Sequence, residues 1–333
     1  MKVLFDHPHP FLLSHGGFQI QIEQTYKALC QAGVEVDYLR WWDDQQPVDI
    51  IHYFGRPTVP YVKQAQAKGI RIVMAQLLTG LGSRSARVLP FQKAAINLAR
   101  AALPSLVTGR FAWEVYAKVE AAIALTPWEA HLMTYMFGAS KEKVHVIANG
   151  VEEVFLQSPP APRTQWLVCT ATITERKRVL ELAEAAISAN TPLWVIGKPY
   201  SDSDSYAQRF FALARQNPKI VRYEGAISDR ARLAQIYRGA RGFVLLSTME
   251  SLSLSALEAA ACECPLLLSN LPWAQTTFKE NASYCPITST AETAGCLRRF
   301  YDSAPQLKIP TKPPTWAEIA LQLKAVYENV LKK

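Results

Sequence analysis

Apolar positions along the chain gather into short continuous runs, and between the runs they recur at helical spacing. The first half opens with the run MKVLFD, then a loop holding Gly16 and Gly17. A helical pattern, FQIQIEQTYKALCQAG, follows and is closed by Gly33. VEVDYLRW, PVDIIHYF, IRIVMA, AAIALTP and KVHVIANG are further predicted strands, with Asn149-Gly150 marking a turn. The stretch 157–164, QSPPAPRT, is polar and proline-rich and is the best linker in the sequence. A second alternation then begins with WLVCTAT, a helix from Val179 to Ala189, PLWVIGK, a helix around 206–216 and KIVRYEGA. A helix at 229–239, GFVLLST, a helix at 253–262 and PLLLSN complete it. The tail has Thr315 as N-cap with Glu318 three residues on, and Trp316, Ile319, Leu323, Val326 and Val330 at helical spacing. Apolar runs alternating with helices predict an α/β protein with parallel sheets: two Rossmann-like domains facing across a cleft.

Length agrees, since 333 residues exceed one ordinary core and suit two domains. The expected limits are 1–156, 157–312 and a terminal helix over 313–333. Apolar residues make up 49% and charged residues 19%, a globular composition. Lys and Arg total 36 against 28 Asp and Glu, a formal charge of +8. That balance serves solubility, or else an acidic partner such as a phosphate-bearing substrate or an anionic lipid surface. Nucleic acid is disfavoured, because no basic run interleaved with aromatics and no zinc-finger or RNP-type signature occurs. The six cysteines are scattered, with only Cys262 and Cys264 close, so buried reduced thiols are expected. No signal-peptide pattern and no apolar window of ~18 residues is present, and the expected compartment is the cytoplasm.

The chemistry concentrates in 220–270. There a predicted strand ends in Ser247-Thr248-Met249-Glu250, and a helix carrying Glu258 starts near Ser253. Ligands of such sheets bind at the carboxyl ends of strands, and the N–H groups of a helix start hold phosphate. Two carboxylates framing that start suit a ligand with both diphosphate and hydroxyl groups.

The pattern S-x-x-E-x-x-x-L-x-x-x-E-A, followed by A-x-x-x-P and apolar residues, resembles the donor-site motif of retaining glycosyltransferase family 4. Glu250 and Glu258 match the family's E-x(7)-E pair. Val221, Tyr223, Gly225 and Ile227, then Leu233, Tyr237 and Ala240, are similar to its upstream pattern. VHVIANGV resembles its hinge, and Trp316, Ala320 and Tyr327 its tail. The match is continuous from about 140 to 270 and fainter elsewhere. The resemblance implies the GT-B fold, with the C-terminal helix packing back toward the N-terminal domain.

It also implies roles. Glu250 would contact hydroxyls of the transferred sugar, and Glu258 the ribose of the nucleotide. The amides of Ser251, Leu252, Ser253 and Leu254 would hold the sugar and distal phosphate, although Leu252-Ser253 stands where the family usually has an aromatic and a glycine. Base recognition would lean on the backbone near Gly197 and Tyr223. Of the family's diphosphate-neutralising pair, Lys177 is kept, but Thr172 stands at the arginine; Arg176 and Arg178 are nearby candidates. Lys177 has the alternative of a solvated residue at a helix start. Gly16 and Gly17 resemble the glycine loop that faces the donor, with His15 either a polar contact or a plain loop histidine. Gln76 replaces a histidine that many members carry near the sugar. His52 either lines the cleft or is structural.

No side-chain nucleophile, no cofactor and no metal is expected; the co-substrate is a nucleotide-diphosphate sugar. The D-x-D of Asp202 and Asp204 is taken as coincidence. Two readings remain: a retaining hexosyltransferase, and a non-catalytic nucleotide-sugar-binding protein, which Thr172 and Gln76 favour. A nicotinamide dehydrogenase is disfavoured, because no G-x-G-x-x-G follows the first strand. The segment 80–118 carries Arg84, Arg87, Lys93, Arg100, Arg110 and Lys118 against Glu114, among apolar residues. It is either a solvated basic face or a surface that meets anionic membrane, where a lipid-linked or envelope glycan would be the acceptor at the inner membrane face.

Overall fold

Two six-stranded parallel sheets organise the chain in a computed structural model that describes residues 1–8, 10, 11, 16–103, 111, 113–157 and 159–332. They belong to two units: Met1–Gly150 together with the helix Trp316–Leu331, and Val151–Thr315.

In the first unit the strands are β1 (Lys2–Asp6), β2 (Glu35–Tyr38), β3 (Ile50–Phe54), β4 (Arg71–Ala75), β5 (Ala121–Ala124) and β6 (Val144–Val146). Their order is β2-β1-β3-β4-β5-β6, which reverses direction of growth between β1 and β3. Helices α1 (Gly17–Gln31), α2 (Val59–Ala67), α3 (Thr79–Gly82), α4 (Leu89–Ala102), α5 (Val115–Lys118) and α6 (Pro127–Phe137) connect them. The central strands are buried on both faces, which is why Ile50-Ile51 and Ala121–Ala124 read as unbroken apolar runs. Helix α6 occupies the sequence just past a predicted strand. Thr126 accepts from the Glu129 amide at 3.1 Å, and the buried Glu129 carboxylate takes the amides of Leu125 and Leu78, each at 2.9 Å. A capped helix therefore begins where the apolar run appeared to continue.

The second unit contains α7 (Glu153–Leu156), β7 (Leu167–Thr170), α8 (Val179–Ser188), β8 (Leu193–Ile196), α9 (Ser205–Gln216) and β9 (Val221–Glu224). It continues with α10 (Arg230–Gly239), β10 (Gly242–Leu245), α11 (Leu254–Ala261), β11 (Leu266–Ser269), α12 (Pro272–Phe278), β12 (Ser283–Cys285) and α13 (Thr290–Ser303). The sheet order is β12-β11-β10-β7-β8-β9, the doubly wound arrangement of nucleotide-binding domains.

The division of the chain falls at Gly150–Val151, ahead of the proline-rich stretch at which the sequence places it. Val151 bridges in parallel to Thr315, Glu152 pairs with Arg230, and the fully buried Phe155 lies 6.1 Å from the Tyr237 ring. These contacts tie 151–156 to the second unit. The terminal helix α14 (Trp316–Leu331) packs against α1 within the first unit and buries Trp316, Ile319, Leu323, Val326 and Val330, the positions its periodicity marks. Among the described residues no helix is long and apolar enough to cross a membrane. Cys30 is exposed, unlike the other five cysteines, which are buried.

Candidate active site

In the second sheet the strand order reverses between β7 and β10, so the loops leaving their carboxyl ends frame the place where such sheets bind ligands. The loop after β7 makes a short helical turn at Glu175–Lys177 and then adopts a left-handed conformation at Arg178, φ 53°, to enter α8. The loop after β10 runs Leu246-Ser247-Thr248-Met249-Glu250. The two are stitched together: the Thr248 amide donates to the Arg176 carbonyl at 2.9 Å, and the Arg176 guanidinium donates to the Met249 carbonyl at 2.8 Å.

This stitching delivers both cations of the turn to one acid. Glu250, 7% exposed, accepts from Lys177 through Oε1, and the Arg176 guanidinium lies 3.2 Å from the same oxygen. Lys177 is itself largely covered, so the pair sits where electrostatic interactions are stronger than on an open surface. The solvated-residue alternative for Lys177 is thereby set aside. Of the two nearby arginines, Arg176 reaches this acid. Thr172 is half-buried in the same loop.

Helix α11 starts directly after Glu250. Ser253 is its N-cap, accepting from the Ala256 amide at 3.3 Å, and Ser251, Leu252 and Ser253 are all buried. A helix start leaves up to four amides without intrahelical partners, and the hydroxyl of Ser253 takes one. The alanine-rich sequence lets α11 sink into the unit, burying Ala256 to Ala261 and Glu258 with them. Glu258 is held from behind, by Arg230 on Oε1 and by the Tyr237 hydroxyl, 3.4 Å from Oε2. Arg230 also bonds Glu152 at 2.8 Å and lies 4.7 Å above the Phe155 ring. Burial pushes the Glu258 carboxyl above the usual range, and Arg230 opposes that shift. Arg230 and Glu152 were invisible as partners in the sequence, since nothing in local spacing links positions so far apart.

Gly197 ends β8 at φ 149°, and a Cβ there would sit 1.9 Å from the Ala171 carbonyl oxygen. Only glycine permits the loops after β7 and β8 to lie this close. The Ile173 amide bonds Lys198 O at 3.2 Å, and the Tyr223 hydroxyl donates to Gly197 O at 3.0 Å. Gly197, Lys177, Arg176 and the α11 start thus belong to loops at the carboxyl end of one sheet, and Tyr223, within β9, reaches that end through Gly197.

In the first unit, Gly16 is the N-cap of α1 at φ 138°, a conformation reserved for glycine, and Gly17 begins the helix. His15 lies outside the described residues, as does Arg110. Gln76 follows β4 and bonds its neighbour, Leu77 O, at 2.8 Å. His52 is a core residue rather than a ligand-facing one. It is 1% exposed, its Nδ1 is 2.6 Å from the Tyr327 hydroxyl, and its ring stacks on Phe54 at 4.2 Å. Burial pulls its pKa down to about 3. Asp204 is spent as the N-cap of α9, accepting from Ala207 at 3.0 Å. No group of three or more His, Cys, Asp or Glu side chains suited to a metal occurs among the described residues.

The protein-family description Glycosyl transferases group 1 matches residues 164–303, the segment that holds all of these second-unit loops. Sucrose-phosphate synthase from Thermosynechococcus elongatus superposes with a TM-score of 0.70 at 18% identity, over 99% of both chains. The chain has the GT-B fold. A glycosyltransferase from Rickettsia africae gives 0.64 at 12% identity over 100% of this chain and 99% of its own. HepE from Anabaena, solved with UDP and glucose, gives 0.63 at 14% over 100% and 98%. No curated protein sequence matches the chain.

Proposed function

We propose that this GT-B protein is a retaining, metal-independent hexosyltransferase that moves a sugar from a nucleotide-diphosphate donor to a glycan or lipid-linked acceptor. The observation carrying the reading is the convergence of Lys177 and Arg176 on Glu250 beside the start of α11, at the strand-order reversal. On donor binding the partners exchange. The distal phosphate takes the two cations and the helix-start amides of Ser251 to Leu254, and Glu250 turns to accept from sugar hydroxyls. Glu258, fixed by Arg230 and Tyr237, accepts from the ribose.

When the bond between the sugar's anomeric carbon and the phosphate oxygen breaks, charge develops on the pyrophosphate, and preorganised cations and amides lower that barrier most effectively. Arg176 supplies the charge absent at Thr172, so two protein cations rather than a metal meet the leaving group. UDP-containing HepE and the matched family description support the choice of nucleotide sugars.

On the acceptor side, α4 supports contact with an anionic membrane. Phe91 (79% exposed) and Leu98 (69%) stand one heptad apart with Ala94, Ala95 and Ala102 on an outward stripe, near exposed Arg84 and Arg87. We place the enzyme on that basis at the inner face of a membrane, in the cytoplasm.

The test is donor turnover in the presence of a chelator. Wild-type protein releases sugar from one nucleotide sugar, and Glu250→Ala lowers that rate on the order of 10²-fold or more while the far-UV spectrum is unchanged. Equal turnover by the folded variant ends the assignment. Thr172 favours a second reading, a nucleotide-sugar-binding protein without transferase activity; binding with no transfer to any acceptor is its signature.

A further inference from the structure

Trp41 and Trp42 are 81% and 83% exposed, the two most exposed of the large apolar side chains in the described chain. Tryptophan carries the largest apolar surface of any residue, so two adjacent rings left in water mark a surface that meets something. They sit on the loop leaving the carboxyl end of β2, the end of the sheet at which ligands bind.

The loop that carries them is braced by hydrogen bonds. Arg40 forks onto both flanking acids, with Nη1 2.9 Å from Asp37 and Nε and Nη2 at 3.1 and 2.8 Å from Asp43. Gln46 closes the base of the loop, accepting from the Arg40 amide at 2.9 Å and donating to Tyr38 O at 2.9 Å and to Asp37 at 3.3 Å. Asp43 accepts from the Gln45 amide at 3.2 Å. Beneath the loop, Tyr38 stacks on Tyr26 at 5.1 Å. A braced loop leaves chiefly the rings' own rotamers to be ordered on binding.

The residues beside the rings narrow the class of ligand. Trp41-Trp42 is followed by Asp43-Asp44-Gln45-Gln46, of which Asp44 and Gln45 are exposed. Carboxylates and amides are the planar groups that take sugar hydroxyls in pairs, and indole faces pack against the C–H faces of pyranose rings. Asp43 and Asp44 outnumber Arg40, whose charge is already held by Asp37 and Asp43, so the surface is repelled by an anionic bilayer.

We propose that the Trp41–Trp42 loop is a carbohydrate platform that binds an oligosaccharide by ring stacking, with Asp44 and Gln45 taking its hydroxyls. It rests on the glycosyltransferase reading only in identifying that oligosaccharide as the acceptor. The platform therefore favours an acceptor with exposed pyranose rings over a small aglycone.

The full chain is applied to an array of defined gluco-, galacto-, manno- and N-acetylhexosamine oligosaccharides, while its thermal stabilisation by UDP, GDP, ADP and TDP is measured in parallel. Wild-type protein should retain at least one oligosaccharide series. Trp41→Ala and Trp42→Ala should each weaken that retention about tenfold, and Arg40→Ala, which loosens the brace, should weaken it less. Leu321→Ala, an exposed apolar residue of α14 with no assigned partner, should leave it unchanged, and all four variants should keep the nucleotide stabilisation of wild type. Retention of no oligosaccharide overturns the proposal. So does retention undiminished in both tryptophan variants, or a tryptophan effect confined to vesicle binding or to self-association in sedimentation. Tryptophan-dependent retention in a chain that no nucleotide stabilises would uphold the platform and remove the donor reading instead.

Discussion

Glu250 meets cations that lie 73 and 74 positions earlier in the chain, and its place at the end of a strand is what brings them together. Glu250 and Glu258 are legible in sequence, because a strand, a turn and a helix start are local patterns, whereas Lys177 is marked there only by the family resemblance. The choice of Arg176 over Arg178 is not legible, since it depends on a hydrogen-bonded crossing of two loops. Nor is the pairing of Glu258 with Arg230, which turns an expected open ligand group into one held from behind. His52 shows the same limit in reverse: a histidine at the end of an apolar run is silent on whether its ring faces ligand or core. Its burial carries a pH signature. With a folded pKa near 3 and an ordinary unfolded value, the unfolded chain binds the extra proton between these two values. Stability should therefore be complete above about pH 6.5 and fall with decreasing pH, by up to about 1.4 kcal/mol per pH unit from this residue. Denaturant midpoints measured from pH 7 to pH 4 should slope less in His52→Phe than in wild type. Parallel slopes would mean that the ring is not buried in its neutral form.

Elements were read best where the physics is least ambiguous. Strands covered on both faces appear as apolar runs, and α14 shows a clean stripe, so both emerge from periodicity alone. Helix α6 was hidden because its cap, Thr126-Pro127, follows a strand without a break in apolarity, and α13 because its sequence is polar on most of its surface. Helix α4 is the informative exception. A helix normally buries its apolar stripe, yet α4 buries Leu89 and leaves Phe91 and Leu98 in solvent. Several cations of the segment 80–118 are already engaged, with Lys93 of α4 4.0 Å above the Tyr135 ring, Arg100 of α4 5.7 Å from Trp113 and Lys118 of α5 3.9 Å from Glu114. The remaining exposed arginines and the apolar stripe should act together. Co-sedimentation with vesicles rich in anionic lipid should fall as salt rises, and Phe91→Ser with Leu98→Ser should abolish it without altering nucleotide binding. Retention indifferent to salt, lipid charge and both substitutions would contradict a membrane-facing α4.

At the scale of the whole molecule, two parallel sheets of different strand order carry one chain, and the second of them holds the loops proposed to bind the donor. The class of fold could be argued from alternation alone. The strand orders could not, because sequence gives the succession of strands and not which one lies beside which. It is the order β10-β7 at the centre of the second sheet that converts separate motifs into a site. The central claim is that Lys177 and Arg176 hold the pyrophosphate of an activated sugar. Thermal unfolding with UDP-, GDP-, ADP- and TDP-sugars measures this directly. One donor, at 100 times its dissociation constant, should stabilise the wild-type chain by roughly 2.7 kcal/mol, and the combined Lys177→Ala and Arg176→Ala variant should lose most of that gain at the same concentration. A wild-type chain that none of the four donors stabilises, or a variant stabilised as fully as wild type, would contradict it.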